Sequence, residues 1–210
     1  MSLQKKGMMF ILSSPSGVGK TTLTKKLAKN NINFKISISH TTRTPRSNEI
    51  NGKDYYFVDE REFLTLVKSD SFFEYAKIFN NFYGTQKEPV LNILKKRKDV
   101  LFDIDWQGTQ QLKEIKELSL VTFFILPPNI KTLKERLLNR HKGQEELIKQ
   151  RMDKFNEEIS HWKEYDHVVI NDDLEVCYNK ISQIIGSEKS GIRENKNIEF
   201  IEKKVKELTK

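Results

Sequence analysis

The chain has 210 residues, enough for one domain with a sizeable core, and its 37% hydrophobic, 10% aromatic and 31% charged residues place it among globular proteins. Fibres, miniproteins and long disordered chains are thereby excluded. Thirty-seven Lys and Arg against 29 Asp and Glu leave a net charge of +8, which favours anionic partners without choosing among nucleic acid, a membrane surface and small phosphates.

Taken in chain order, Met8 to Ser13 is a short apolar run that stops at Ser14-Pro15-Ser16-Gly17, the pattern of a buried strand entering a loop. Leu23, Leu27 and Ala28 then recur at helical spacing among lysines, predicting a helix over 21–29. Residues 36–86 break this rhythm with many aromatics, turn signals at Asn51-Gly52 and Tyr83-Gly84, and one evident helix near 60–69. We read 37–86 as an inserted antiparallel subdomain. A helix over 88–98 leads back to strands at 100–104, 120–126 and 167–170, with helices near 107–117, 130–139, 147–163 and 173–185.

Alternating strands and helices predict an α/β fold of three layers with a parallel core sheet, formed by residues 1–36 and 87–186. Residues 140–146, RHKGQEE, lack apolar side chains and suit an exposed segment, so about 137–150 is a candidate helical lid. Residues 187–210 form a charged extension in which Ile198, Ile201, Val205 and Leu208 share one helical face; the helix packs on its own domain, frays in solvent or meets a partner.

The single cysteine, Cys177, permits no internal disulfide and sits with Leu174, Ile181 and Ile184 at core-facing spacing, while four scattered His offer no zinc pattern. No apolar stretch approaches the ~18 residues of a membrane span, and the N-terminal run is too short for a secretion signal. The expectation is a cytoplasmic protein with no membrane partner.

Ser14, Pro15, Ser16, Gly17, Val18, Gly19, Lys20 and Thr21 read SPSGVGKT, a phosphate-binding loop in which Ser14 replaces the first Gly of G-x-x-x-x-G-K-[ST]. Gly17 and Gly19 let backbone amides turn inward, the next helix directs its positive end at the same spot, and Lys20 adds an ammonium beside the β and γ phosphates. Thr21 offers a hydroxyl to Mg²⁺. Asp103 and Asp105 follow an apolar strand in VLFDIDWQG, at the carboxyl edge where open α/β sheets bind ligands. Asp103 suits Mg²⁺ and its waters; the other role open to either Asp is capping the helix that starts near Gln107. In SISHTTRTPR, Arg43 and Arg46 stand three apart across Pro45, and each can grip a phosphate by two parallel hydrogen bonds. His40 is expected to face solvent and Trp106 to pack.

These motifs, together with NGKDYYF (51–57), EYAKIFNNFYGT (74–85), an arginine-bearing lid and VINDD (169–173), occur in the order found in guanylate kinases, and over about residues 8–186 the sequence resembles that family of P-loop nucleoside monophosphate kinases. The resemblance implies transfer of the γ-phosphoryl group of ATP to GMP, with Mg²⁺ as cofactor. It further implies that Arg43, Arg46, Tyr55 and Tyr83 bind the GMP phosphate, that Ser39, Glu74 and Thr85 read guanine, and that Asp105 lines the GMP side. Glu74 would accept from guanine N1–H and N2–H₂ but face a lone pair at adenine N1, which selects the base. Arg136, Arg140 and Arg151 match lid and lid-flanking cations that neutralise charge during transfer, and Asn171 matches a position touching adenine. Residues 131–154 carry a net charge of +4, although single lysines there, such as Lys142, read as solvated charges. Asp172 and Asp173 suit capping of the last core helix.

Two other classes compete. Guanylate-kinase-like domains also serve as non-catalytic interaction modules, but those lack the working loop that Gly19, Lys20 and Thr21 supply here. A nucleic-acid binder would use the +8 charge, yet no recognition motif or aromatic-basic repeat accompanies it. The expectation is therefore a monomeric or homodimeric enzyme with small-molecule partners ATP and GMP and no nucleic acid, active on dGMP also because no residue identified demands the 2′-hydroxyl.

Overall fold

A computed structural model describes residues 7–140, 143–192 and 197–210. Five strands form a parallel sheet: β1 (Met9–Ser13), β2 (Phe34–Ile36), β7 (Asp99–Asp103), β8 (Leu120–Leu126) and β9 (His167–Ile170), in the spatial order β2-β7-β1-β8-β9. The middles of the central strands are apolar because both faces are covered, and polar residues fall mainly at strand ends, as Ser13, Asp99 and Asp103 do; all five residues of β1 are buried. Alternation along β1 splits the core. Phe10 and Leu12 join Leu23 and Leu27 of α1 (Lys20–Asn30), Leu133 and Leu137 of α5 (Ile130–Arg140) and Cys177 and Ile181 of α8 (Leu174–Lys189). Met9 and Ile11 face Val90 and Leu94 of α3 (Lys87–Lys95) and Leu112 of α4 (Trp106–Lys113). Each such fully buried aliphatic side chain contributes about 1.5–3 kcal/mol, so the sheet is the rigid platform on which the loops at its carboxyl edge are mounted.

A second sheet lies between β2 and α3 in sequence. It contains β3 (His40–Thr41), β4 (Tyr56–Phe57), β5 (Phe72–Ile78) and β6 (Asn81–Gln86) in the order β4-β3-β6-β5, with α2 (Glu60–Lys68) following β4. β3 and β5 pair antiparallel with β6, while the two-residue β3–β4 pairing is parallel. Helix α2 starts at Asp59, whose side chain accepts from Glu62 N, and its Phe63 is fully buried against Phe72 and Phe82.

Several expected boundaries move for physical reasons. The helix expected over 147–163 is divided into α6 (Glu145–Asp153), α7 (Phe155–Ser160) and a 3₁₀ turn (His161–Glu164), which lets Phe155, Ile159 and Trp162 all reach the core. Helix α8 begins at its Asp173 cap, as expected, but continues to Lys189, where the Lys189 ammonium meets the buried Asp99 at 2.5 Å and Glu188 meets His167 at 2.7 Å. His40 does not face solvent: it is buried, stacks on Tyr56 and has its pKa lowered by burial. Trp106 packs as expected, stacking on His161 at 3.7 Å.

The amphipathic end forms α9 (Ile198–Leu208), and Ile201, Val205 and Leu208 close onto the main core while Lys163 donates to Glu202 at 2.9 Å. Three of the four residues of the expected face are thus used within the chain, while Ile198 stays exposed. Within the lid expected over 137–150, His141 and Lys142 lie outside the described residues.

Candidate active site

One cleft of about 780 Å³ opens along the carboxyl edge of the parallel sheet and is walled on the far side by the second sheet. At its floor, the loop after β1 passes through Gly17 (φ 90°) and Gly19 (φ 104°), a left-handed region that L side chains rarely adopt, before α1 begins at Lys20. Ser14 is absent from the positive-φ positions among the described residues, so the turn takes Ser where the pattern has Gly. A Cβ on Gly19 would stand 2.6 Å from Asn171 Nδ2. Asn171, which follows β9, donates from that nitrogen to Val18 O at 2.7 Å, and Arg136 donates to Val18 O at 3.2 Å and Asn171 O at 3.1 Å. Strand end, α5 and loop are therefore stitched together beneath the cradle.

Lys20 donates to Ile104 O at 3.0 Å and forms an ion pair with Asp103 at the end of β7. Asp105, two residues on, both lines the cleft and caps α4, accepting from Gly108 N at 3.1 Å; Asp103 makes no such cap. Thr21, one residue into α1, also lines the cleft. Two groups hold Ser16: Arg151 donates to its hydroxyl and its N–H donates to Glu158 at 3.1 Å. Burial pushes the Glu158 carboxyl up to about 7.

On the opposite wall, Arg43 and Arg46 converge on one carboxylate. Arg43 Nη2 lies 2.8 Å from both oxygens of Glu49, and Arg46 reaches the same carboxylate through its backbone N–H at 2.8 Å and Nη1 at 3.1 Å. Arg43 also lies over the Tyr55 ring at 5.5 Å, and Tyr55 meets Tyr83 edge to face at 6.1 Å. Burial raises the Tyr55 pKa further above its ordinary value, so its hydroxyl stays a neutral donor. Glu49 supplies an anion of the size and hydrogen-bonding capacity of one edge of a phosphate.

Behind this wall, Ser39 and Thr85 share a hydrogen bond of 3.1 Å, and Glu74 is buried with 3% exposure. Burial raises the Glu74 carboxyl to about 7 against the opposing hydrogen bonds from Thr85. Glu74 and Thr85 stand beneath the cleft surface, whereas the other sequence-identified residues line it.

Arg140 and Arg151 border the gap between the two walls. Arg140 is solvent-exposed by area, yet enough protein surrounds it that desolvation lowers its pKa, followed by repulsion from Arg46. The Arg151 pKa is lowered by burial and then by Arg140 and Arg46. Four guanidiniums so placed call for anions. Among the described residues, buried side-chain atoms without a hydrogen-bond partner include Glu74 Oε1, Arg151 Nε and Asn171 Oδ1, all at this site. Buried polar atoms left open in and behind one cleft suit a ligand that completes them.

Sequence reasoning missed Glu49 and Glu158. Glu49 follows Arg46 by three residues, a spacing that signals an ion pair; Glu158 lies on a short helix 142 residues from Ser16 and gives no local signal.

A parallel α/β sheet with a glycine-bearing phosphate loop and Lys20 heading the first helix defines the P-loop class of nucleotide-binding proteins. A family model described as Guanylate kinase matches residues 6–188. The guanylate kinase of Rickettsia prowazekii is 52% identical over 190 residues, covering 90% of this chain and 96% of that protein. That of Novosphingobium aromaticivorans is 47% identical over 188 residues, covering 90% and 85%. The crystal structure of guanylate kinase from Anaplasma phagocytophilum superposes with a TM-score of 0.72 at 36% identity, covering 89% of this chain and 88% of that one. The chain belongs to the guanylate kinase family.

Proposed function

We propose that the protein transfers the γ-phosphoryl group of ATP to GMP, giving ADP and GDP. One observation carries this reading: a single cleft holds two separate anion seats, the glycine loop with Lys20 and the Arg43–Arg46 pair, with Arg140 and Arg151 between them. A hydrolase needs the first seat only; a phosphotransferase between two phosphorylated nucleotides needs both.

ATP occupies the Ser14–Thr21 loop, with Asn171 beside its base, and the GMP phosphate lies between Arg43, Arg46, Tyr55 and Tyr83. Glu74, Ser39 and Thr85 read guanine, and Asp105 lines that pocket. An oxygen of the GMP phosphate attacks the γ-phosphorus in line; a new P–O bond forms as the bond to the β–γ bridging oxygen breaks, and ADP leaves with that electron pair. Lys20, Arg136, Arg140 and Arg151 hold the charge during transfer, so catalysis is positioning and electrostatics. The surrounding arginines also favour phosphate over water as acceptor once the cleft closes over both substrates.

The protein oxygens near the loop fit Mg²⁺: Thr21 and Asp103 border it, and no group of three or more His, Cys, Asp or Glu able to form an all-protein cage occurs among the described residues. Thr21 and Asp103 would hold such an ion, which would supply charge neutralisation on the phosphates. Both seats are built by one chain, so the enzyme functions as a monomer or as a homodimer of independent sites. Its place is the cytoplasm, where both nucleotides are available, and dGMP is a second acceptor. No helix among the described residues is long and apolar enough to cross a membrane.

Lys20→Met tests the reading. GMP binding measured by calorimetry is retained while transfer falls by about 100-fold or more; wild-type turnover in this variant would refute the role of the loop.

A further inference from the structure

The hairpin joining β5 to β6 turns in two residues, Phe79 and Asn80, since Ile78 pairs with Asn81. Phe79 has φ 53°. Two-residue hairpins reach positive φ with Gly, Asn or Asp, and a bulky side chain there is strained. Asn80 and Asn81 follow immediately, so the strained position holds the residue least suited to it. Such outliers persist where the side chain has a task that outweighs the backbone cost.

The ring shows what that task is. Its centroid lies 5.4 Å from the Arg151 guanidinium carbon and 4.6 Å from Lys154 Nζ, both within cation–π range. Arg151 belongs to α6, on the donor side, and donates to the Ser16 hydroxyl of the phosphate loop, while its buried Nε has no partner among the described residues. Arg140 and Arg46 repel it. A neutral ring with a negative face steadies such a guanidinium without consuming a hydrogen-bond donor, which leaves Nε for a substrate oxygen.

We propose that Phe79 is a positioning residue for phosphoryl transfer: the hairpin tip of the acceptor-side sheet presents its ring to Arg151 and thereby orients that guanidinium over the phosphate loop. The inference rests on the reading of the cleft as a phosphotransferase site. It makes the acceptor-binding sheet and the donor-side arginine one mechanical unit, so seating the acceptor sets the geometry of a group that acts on the transferred phosphoryl.

The test compares wild type with Phe79→Gly, Phe79→Leu and Phe79→Tyr for kcat, for the KM of GMP and for thermal midpoint. Phe79→Gly relieves the turn and removes the ring: its midpoint equals or exceeds that of wild type, its kcat falls on the order of tenfold, and its KM for GMP stays within about twofold. Phe79→Leu, apolar but without a π face, loses kcat similarly, and Phe79→Tyr restores it. A Phe79→Gly or Phe79→Leu enzyme with wild-type kcat overturns the proposal, as does a loss of kcat that merely follows a loss of stability. A wild type lacking GMP-dependent turnover would overturn the parent reading and this one together, which separates the two failures.

Discussion

Gly108 and Glu74 are in van der Waals opposition: a Cβ on Gly108 would stand 3.0 Å from Glu74 Cδ and closer still to its Oε2. The first turn of α4 therefore sets the position of the buried carboxylate from behind. Gly108→Ala must push Glu74 out of place while leaving the Asp105 cap intact. The expected result is a folded enzyme whose KM for GMP rises by about tenfold or more, because a displacement near 1 Å is costly for a hydrogen-bonded base reader. Steady-state kinetics beside circular dichroism measures both.

Glu49 accepts hydrogen bonds from both Arg43 and Arg46 and holds them in register. Removing it leaves two half-buried guanidiniums facing one another. Glu49→Ala is expected to destabilise the protein by about 1–3 kcal/mol. Saturating GMP, whose phosphate supplies the missing anion, should recover part of that loss. Thermal melts with and without GMP show this as a mutant-to-wild-type gap that narrows on binding; a gap that GMP leaves unchanged would contradict the shared-anion arrangement.

With Glu74 as the proposed guanine reader, its raised carboxyl, near 7, predicts a pH dependence of GMP recognition. Guanine needs the ionised form as acceptor, so the KM of GMP falls as pH rises through about 7 and levels off above it. Glu74→Gln, whose amide does not titrate, keeps only the dependence contributed by the GMP phosphate itself, with its second pKa near ~6. The effect on stability has the opposite sense. The unfolded carboxyl ionises near ~4.3 while the folded one stays protonated to about 7, so Glu74, and Glu158 with it, lowers stability progressively between those values as pH rises. Denaturant titrations at pH 5 and pH 8 check that sign.

Cys177 is buried at 1% exposure, and burial pushes its thiol up to about 12. At neutral pH it is a thiol, not a nucleophilic thiolate. Treatment with a thiol-directed reagent under native conditions leaves activity unchanged; rapid loss with the fold intact would contradict this.

Much of the architecture was legible because local pattern and global fold agree. Buried runs such as Met9–Ser13 and Leu120–Leu126 read directly as strands, and the loop residues Gly17, Gly19 and Lys20 were identified by spacing. What escaped depends on long-range contacts. His40 looks like a loop histidine until Tyr56 folds over it, and the edge strand Phe34–Ile36 has three residues and no period to detect. Phe79 and Glu158 meet Arg151 and Ser16, partners 72 and 142 positions away. For Asp105 the sequence allows two roles, lining the cleft or capping α4, and it performs both.

The most direct test of GMP phosphorylation measures ADP formation from Mg·ATP with GMP, AMP, UMP or CMP as acceptor, for wild type and Glu74→Ala. The expected result is turnover confined to GMP in the wild type and strongly impaired by the substitution. No GMP-dependent turnover from the folded wild-type protein, or equal turnover with AMP, would contradict it and move the family assignment toward a non-catalytic member.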